Sequence, residues 1–185
     1  MPTLRLFITF LLTNVALFAH PHIYIDIYPK INIQNTQATL LSLQWKFDLM
    51  TSSMLIMDYD KNKDNHFNKK EAAKIKKKAM KLFKKNNYYL KIIRSDKNAK
   101  IQKLDNFVVS IDKIGRVVYS FDLICNFEVK DSILLFYYKN PYIAFMLKKS
   151  NVEPLNKNLS FSFKKVLNEM YYGVAMTIKD VNEPI

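Results

Sequence analysis

Two periodicities take turns along the chain. From His22 to Asn32 apolar residues recur at every second position, with Ile23, Ile25 and Ile27 on one face and Tyr24, Asp26 and Tyr28 on the other. That alternation predicts a strand, and Pro29, which has no N–H for a ladder, predicts an edge or a bulge there. Asn35 and Thr36 mark a turn, after which Leu41, Leu43, Trp45 and Phe47 share one face of a second strand. The short connection makes the pair antiparallel. Asp48 is placed to cap a helix in which Met50, Met54, Leu55 and Met57 share a side, a spacing expected of core packing. A polar loop runs from Asp58 to Asn68. The helical period then returns to about Asn86, with Ile75, Ala79, Leu82 and Phe83 forming one apolar stripe.

The second half is rich in branched and aromatic runs: Leu90 to Ile93, Phe107 to Ile111, Arg116 to Phe127 and Ile133 to Tyr138. Polar stretches such as Ser95 to Lys100 and Glu128 to Ser132 separate them, which predicts strands and turns. Asn140-Pro141 breaks the chain, Tyr142 to Leu147 resumes an apolar run, and Asn151 to Asn158 reads as a loop. Leu159 to Ile185 is the least readable part.

The first nineteen residues have neither period. Arg5 and the amino terminus form a positive region, Leu6 to Phe18 an apolar run, and Ala19 a small residue at a cleavage position. Such a run is about 20 Å long as a helix, too short for a bilayer core of about 30 Å. It reads as a signal peptide over 1–19, followed by one exported domain over 20–185. An uncleaved anchor is the alternative; otherwise the membrane is met only through the signal peptide, before cleavage.

Composition narrows the chemistry. The 185 residues include only two glycines and one cysteine, which excludes the common glycine-rich phosphate cradles, an internal disulfide and a thiolate zinc site. The formal charge of +13 becomes +12 once Arg5 is removed. Export argues against a nucleic-acid partner. The nine lysines between Lys69 and Lys85 read as the wet face of the second helix.

One motif is specific. Asp60 to Glu71 has the spacing of an EF-hand loop over twelve positions, because alternate side chains from an extended start converge on one hard cation. Asp60, Asn62 and Asp64 supply oxygens, His66 its backbone carbonyl, Asn68 a water-mediated contact and Glu71 two oxygens. Phe67 pins the loop to the core. Asn65 stands where Gly is usual, and Asn tolerates the left-handed conformation required there. Four lysines among three carboxylates (Lys61, Lys63, Lys69 and Lys70 against Asp60, Asp64 and Glu71) predict weak Ca²⁺ binding, on the order of 0.1–1 mM. A loop held by hydrogen bonds without metal is the competing reading. With it the pattern predicts an α+β fold: antiparallel strands with a helix–EF-hand-like loop–helix insertion after the second strand.

Cleavage after Ala19 would create a second candidate site. The mature chain would begin His20-Pro21-His22, offering an α-amino group and two imidazoles. Pro21 has no amide proton, so the square-planar wrap through backbone amides is blocked. Two or three nitrogens with an open position suit Zn²⁺, or Ni²⁺, Co²⁺ or Cu²⁺. Asp26 is about 13 Å along the strand from His22, which points to a structural role. Cys125, within an apolar run, is expected to be buried and inert.

Taken together, Ala19-His20-Pro21-His22 with Asp26, Trp45-x-Phe47-Asp48 and the Asp60 to Glu71 loop resemble domain-of-unknown-function family 1007, a group of exported bacterial proteins. Tyr138-Lys139-Asn140-Pro141-Tyr142 is similar to that family's Tyr-Asp-Pro-x-Tyr-Tyr segment, with Asn140 in place of Asp. The resemblance covers most of the chain to about Leu147. It implies metal handling beside an inner-membrane permease for nickel, cobalt or zinc, and no reaction. The expectation is a periplasmic accessory protein of a transition-metal transport system, zinc first, in which His20 and His22 hold the transported ion and the loop holds structural Ca²⁺. Two alternatives stay open: a calcium-stabilised structural or adhesion module, and a copper protein of histidine-brace type. No catalytic residue is assigned, because the histidine outside His20-Pro21-His22 is His66, in the cation loop.

Overall fold

The computed structural model describes residues 22–95, 97–139, 142–152, 159–168 and 171–180. The signal segment 1–19 and His20 lie outside these residues, as do Asn140 and Pro141. The chain runs β1 (Ile23–Gln34), β2 (Gln37–Phe47), α1 (Leu49–Tyr59) and α2 (Lys69–Lys85). A 3-10 turn (Asn87–Tyr89) leads to β3 (Leu90–Arg94), β4 (Lys97–Ala99), β5 (Ile101–Ile111), β6 (Val117–Glu128), β7 (Ile133–Phe136) and β8 (Ile143–Met146). The last strands are β9 (Leu159–Asn168) and β10 (Tyr171–Asp180).

Local chemistry explains the first hairpin. Asn35 takes φ 58° at the turn, and β1 pairs antiparallel with β2, Ile27 opposite Trp45. The residues expected on the inner face are there: Ile25, Ile27, Leu41, Leu43 and Trp45 are all buried. Pro29 sits where its missing N–H costs no ladder bond, since β8 pairs with β1 only over Ile23 to Asp26.

The α+β expectation, with antiparallel strands and a helix–EF-hand-like loop–helix insertion, is overturned. The described residues are 55% strand and 23% helix, and all ten strands belong to one sheet. Its path is β4-β3-β7-β10-β8-β1-β2-β6-β5, with β9 paired to β10. The two ends of that path, β4 and β5, are separated in the chain by Lys100 alone. The sheet therefore has to curl round until its ends approach, and it is nearly closed and barrel-like. It is also mixed, since β8 lies parallel to both β1 and β10. The helices are not an insertion beside this sheet: Ile75, Ala79 and Phe83 of α2 belong to the same buried cluster as β1, β2 and β6. At the centre of that cluster Trp45 meets Phe83, Tyr89, Phe121 and Phe145 edge-on, with centroids 5.0 to 5.5 Å away.

Candidate metal sites

The loop between the helices is built from its two ends. Asp60 follows α1 as its C-cap, and Glu71 lies in the first turn of α2. Both carboxylates are buried, at 5% and 4% exposure, where a charge demands compensation. Backbone N–H groups supply it. Asp60 Oδ1 accepts from Lys63 N–H at 2.8 Å and Oδ2 from Asn65 N–H at 2.9 Å. Glu71 reaches back across the loop, Oε1 accepting from Lys61 N–H at 2.8 Å and Oε2 from Asn68 N–H at 3.0 Å. The Asn68 side chain accepts in turn from Lys70 N–H and Glu71 N–H, which completes a capping box at the start of α2.

The backbone bends as the motif requires. Asn65 has φ 61° at the position usually held by Gly, and Lys63 has φ 59°. Phe67 packs against the core. The outer rim differs. Asp64 Oδ2 accepts from Asn62 Nδ2 at 2.7 Å, and Oδ1 from His66 N–H at 2.8 Å, all on the exposed side. The His66 ring lies 2.9 Å from the Asp64 carbonyl through Nδ1. The structure thus joins Glu71 and Asn68 in one network, gives Asp60 its own pair of N–H donors, and leaves Asn62, Asp64 and the His66 side chain at the rim. Among the described residues no three His, Cys, Asp or Glu side chains converge as a metal-binding group.

Do these residues fit a hard cation? A carboxylate has about four lone-pair sites, and Asp60 and Glu71 each use two on backbone N–H groups. No lysine or arginine ion pair reaches either of them among the described residues. Two buried, unpaired carboxylates at opposite ends of a loop with the required left-handed bend fit Ca²⁺ in ligand type and in frame.

The second candidate begins at His22. Its side chain is exposed, and its ring packs on Tyr142 with centroids 4.7 Å apart. The Tyr142 carbonyl accepts both His22 N–H and Ile23 N–H at 3.0 Å, so the entry to β1 is anchored beside the start of β8. The carboxylates near this end are engaged elsewhere. Asp26 accepts from Arg116 Nη2 at 2.9 Å, the structural role expected of it. Arg116 also donates to the Phe47 and Lys46 carbonyls at 2.7 Å. Nothing in the sequence pattern pointed to Arg116; the signal available was the tight Asp112–Arg116 turn, closed through the Asp112 carboxylate.

Asp48 caps α1 as expected, with Oδ1 accepting from Thr51 N–H at 2.8 Å and Oδ2 from Tyr24 N–H at 2.9 Å. The methionine side of α1 is a correction. Met50, Met54 and Met57 are 67%, 43% and 72% exposed rather than packed in the core. The helix turns Thr51 and Ser52 inward, because the Ser52 hydroxyl accepts Val117 N–H at 2.9 Å. Cys125 is buried as expected, and burial pushes its thiol up to about 11.

The family model described as a protein of unknown function, DUF1007, matches residues 5–169. No curated protein matches the chain.

Proposed function

The chain belongs to the DUF1007 family, and from that premise we propose that it is a periplasmic metal-binding accessory protein of a transition-metal transport system, zinc first and nickel or cobalt next. The observation that carries the calcium part of this reading is the Asp60–Glu71 frame: two buried carboxylates held by N–H groups around a bend at Asn65. Ca²⁺ there would supply a cation to two carboxylates that no lysine or arginine pairs with among the described residues. Asp60 and Glu71 would hold it, with Asn62, Asp64, the His66 carbonyl and a water on Asn68.

The transported ion is cargo and belongs at the other site. His20 and His22 would hold it through imidazole nitrogens, with the α-amino group of the processed chain. His22 is exposed and its ring is steadied by Tyr142, so it can give up an ion to a partner without unfolding β1. Few ligands and an open position favour exchange over storage. The partner is an inner-membrane metal permease.

Metal analysis of protein recovered from the periplasm, with its first residue established by mass spectrometry, tests both sites. The expected result is a chain starting at His20 that carries zinc, nickel or cobalt, with a Tm raised by millimolar Ca²⁺. A Tm raised by Ca²⁺ with no transition metal bound would instead make this a calcium-stabilised module without a transport role.

A further inference from the structure

The two helices and the inner face of the sheet enclose a cavity of 260 Å³. Trp45 and Tyr119 line it from the sheet, Leu55 and Tyr59 from α1, Ala79 and Phe83 from α2. Interiors pack to crystal density, and a void this far above one water's share of about 30 Å³ is unusual in a core so rich in large side chains. Its walls are almost wholly apolar. The indole Nε1 of Trp45 is buried and has no hydrogen-bond partner among the described residues, although the ring is only 3% exposed. That nitrogen is closed off from water-sized groups, so the cavity meets Trp45 as an apolar ring.

The opening has its own chemistry. Lys78 and Leu82 line the cavity yet are exposed, so they stand at its mouth. The Lys78 ammonium lies 5.8 Å from the centroid of the Tyr59 ring and makes no ion pair among the described residues. More α2 lysines, Lys74, Lys77, Lys81 and Lys85, lie within a turn or two of it, and the whole chain is strongly basic. An anion is therefore drawn toward this mouth, and an apolar body is accepted behind it.

We propose that this cavity binds a small carboxylate whose apolar body lies inside against the Trp45 ring and whose carboxylate stays at the mouth, where Lys78 supplies the counter-charge. At about 30 Å³ per water-sized group, 260 Å³ holds about nine non-hydrogen atoms. That admits the seven-carbon tail of octanoate, with its carboxylate left at the mouth, or a single aromatic ring, and excludes a full membrane acyl chain. The binding is independent of either metal site.

The chain carries its own reporter, since Trp45 is its one tryptophan. Titrating the full-length processed protein with octanoate should change the Trp45 emission saturably, and 1-octanol should bind at least fivefold more weakly. Lys78→Met, an exposed substitution that leaves the fold intact, should weaken octanoate by about five- to tenfold and leave 1-octanol unchanged. Ala79→Phe, which fills the cavity from α2, should abolish the change; Leu55→Phe fills it from α1 and serves the same purpose if the first variant does not fold. The proposal is overturned if octanoate causes no saturable change, if it binds a folded cavity-filling variant as well as the native chain, or if octanoate and octanol bind alike with or without Lys78.

Discussion

The carboxylate of Asp48 ties the end of β2 to the starts of β1 and α1, accepting from Tyr24 N–H, Thr51 N–H and the Thr51 hydroxyl. Burial pushes its pKa up, but these hydrogen bonds outweigh burial and hold it below the usual carboxylate range. Because the folded value is depressed, the stabilisation is complete above the unfolded value of about 4 and is lost as pH falls through the folded one. Urea midpoints between pH 2 and 5 should therefore show a steep acid limb that Asp48→Asn flattens. Asp60 is the harsher case. Asp60→Ala removes the charged acceptor shared by the Lys63 and Asn65 N–H groups, and urea unfolding should register a loss of about 2 kcal/mol even without Ca²⁺. Cys125, its thiol pushed up to about 11 by burial, should resist disulfide reagents at pH 8 and react at once when the chain is unfolded.

At the scale of elements, α2 is the helix most fully written in its sequence. The stripe Ile75, Ala79, Phe83 is readable before folding and is realised, whereas Asn68 and Glu71, expected as cation-loop positions, also form the capping box that starts the helix. Asn68→Ala should cost about 1 kcal/mol through the broken capping box, read from the thermal midpoint. The shorter α1 shows what periodicity cannot tell. Spacing establishes that Met50, Met54 and Met57 share a side, not which side faces the sheet; the Ser52 bond to Val117 N–H and the inward Leu55 and Ile56 decide that. A triple Met→Gln variant should leave stability within about 1 kcal/mol, whereas core methionines would cost about 2–5 kcal/mol each. Leu82 was read into the α2 stripe and lies 44% exposed at the cavity mouth, at the margin of the buried face.

For the whole molecule, the β1–β2 hairpin and the twelve-position loop were legible because their chemistry is local: an alternation, a turn at Asn35, a bend at Asn65. The sheet as a whole was not. The pairings of β8 with β1 and β10 are parallel and link residues far apart in the chain, so no window of sequence contains them. The tail held a clue that went unread, since Val174, Met176 and Ile178 alternate and are all buried in β10. Polar Lys164 and Lys165 in the neighbouring β9 masked it. The Trp45 N–H, buried and without a partner among the described residues, has no sequence signature at all, because it follows from how five rings and two helices meet. The transition-metal part of the reading rests on His22, which the structure leaves exposed, and on His20, which lies outside the described residues. Its most direct test is a Zn²⁺ titration of the processed chain against the double variant His20→Ala/His22→Ala, with Ca²⁺ titrated in parallel. The expected result is a one-to-one Zn²⁺ site that weakens at least a hundredfold in the double variant while Ca²⁺ binding is unchanged; a Zn²⁺ affinity equal in the two proteins would contradict it.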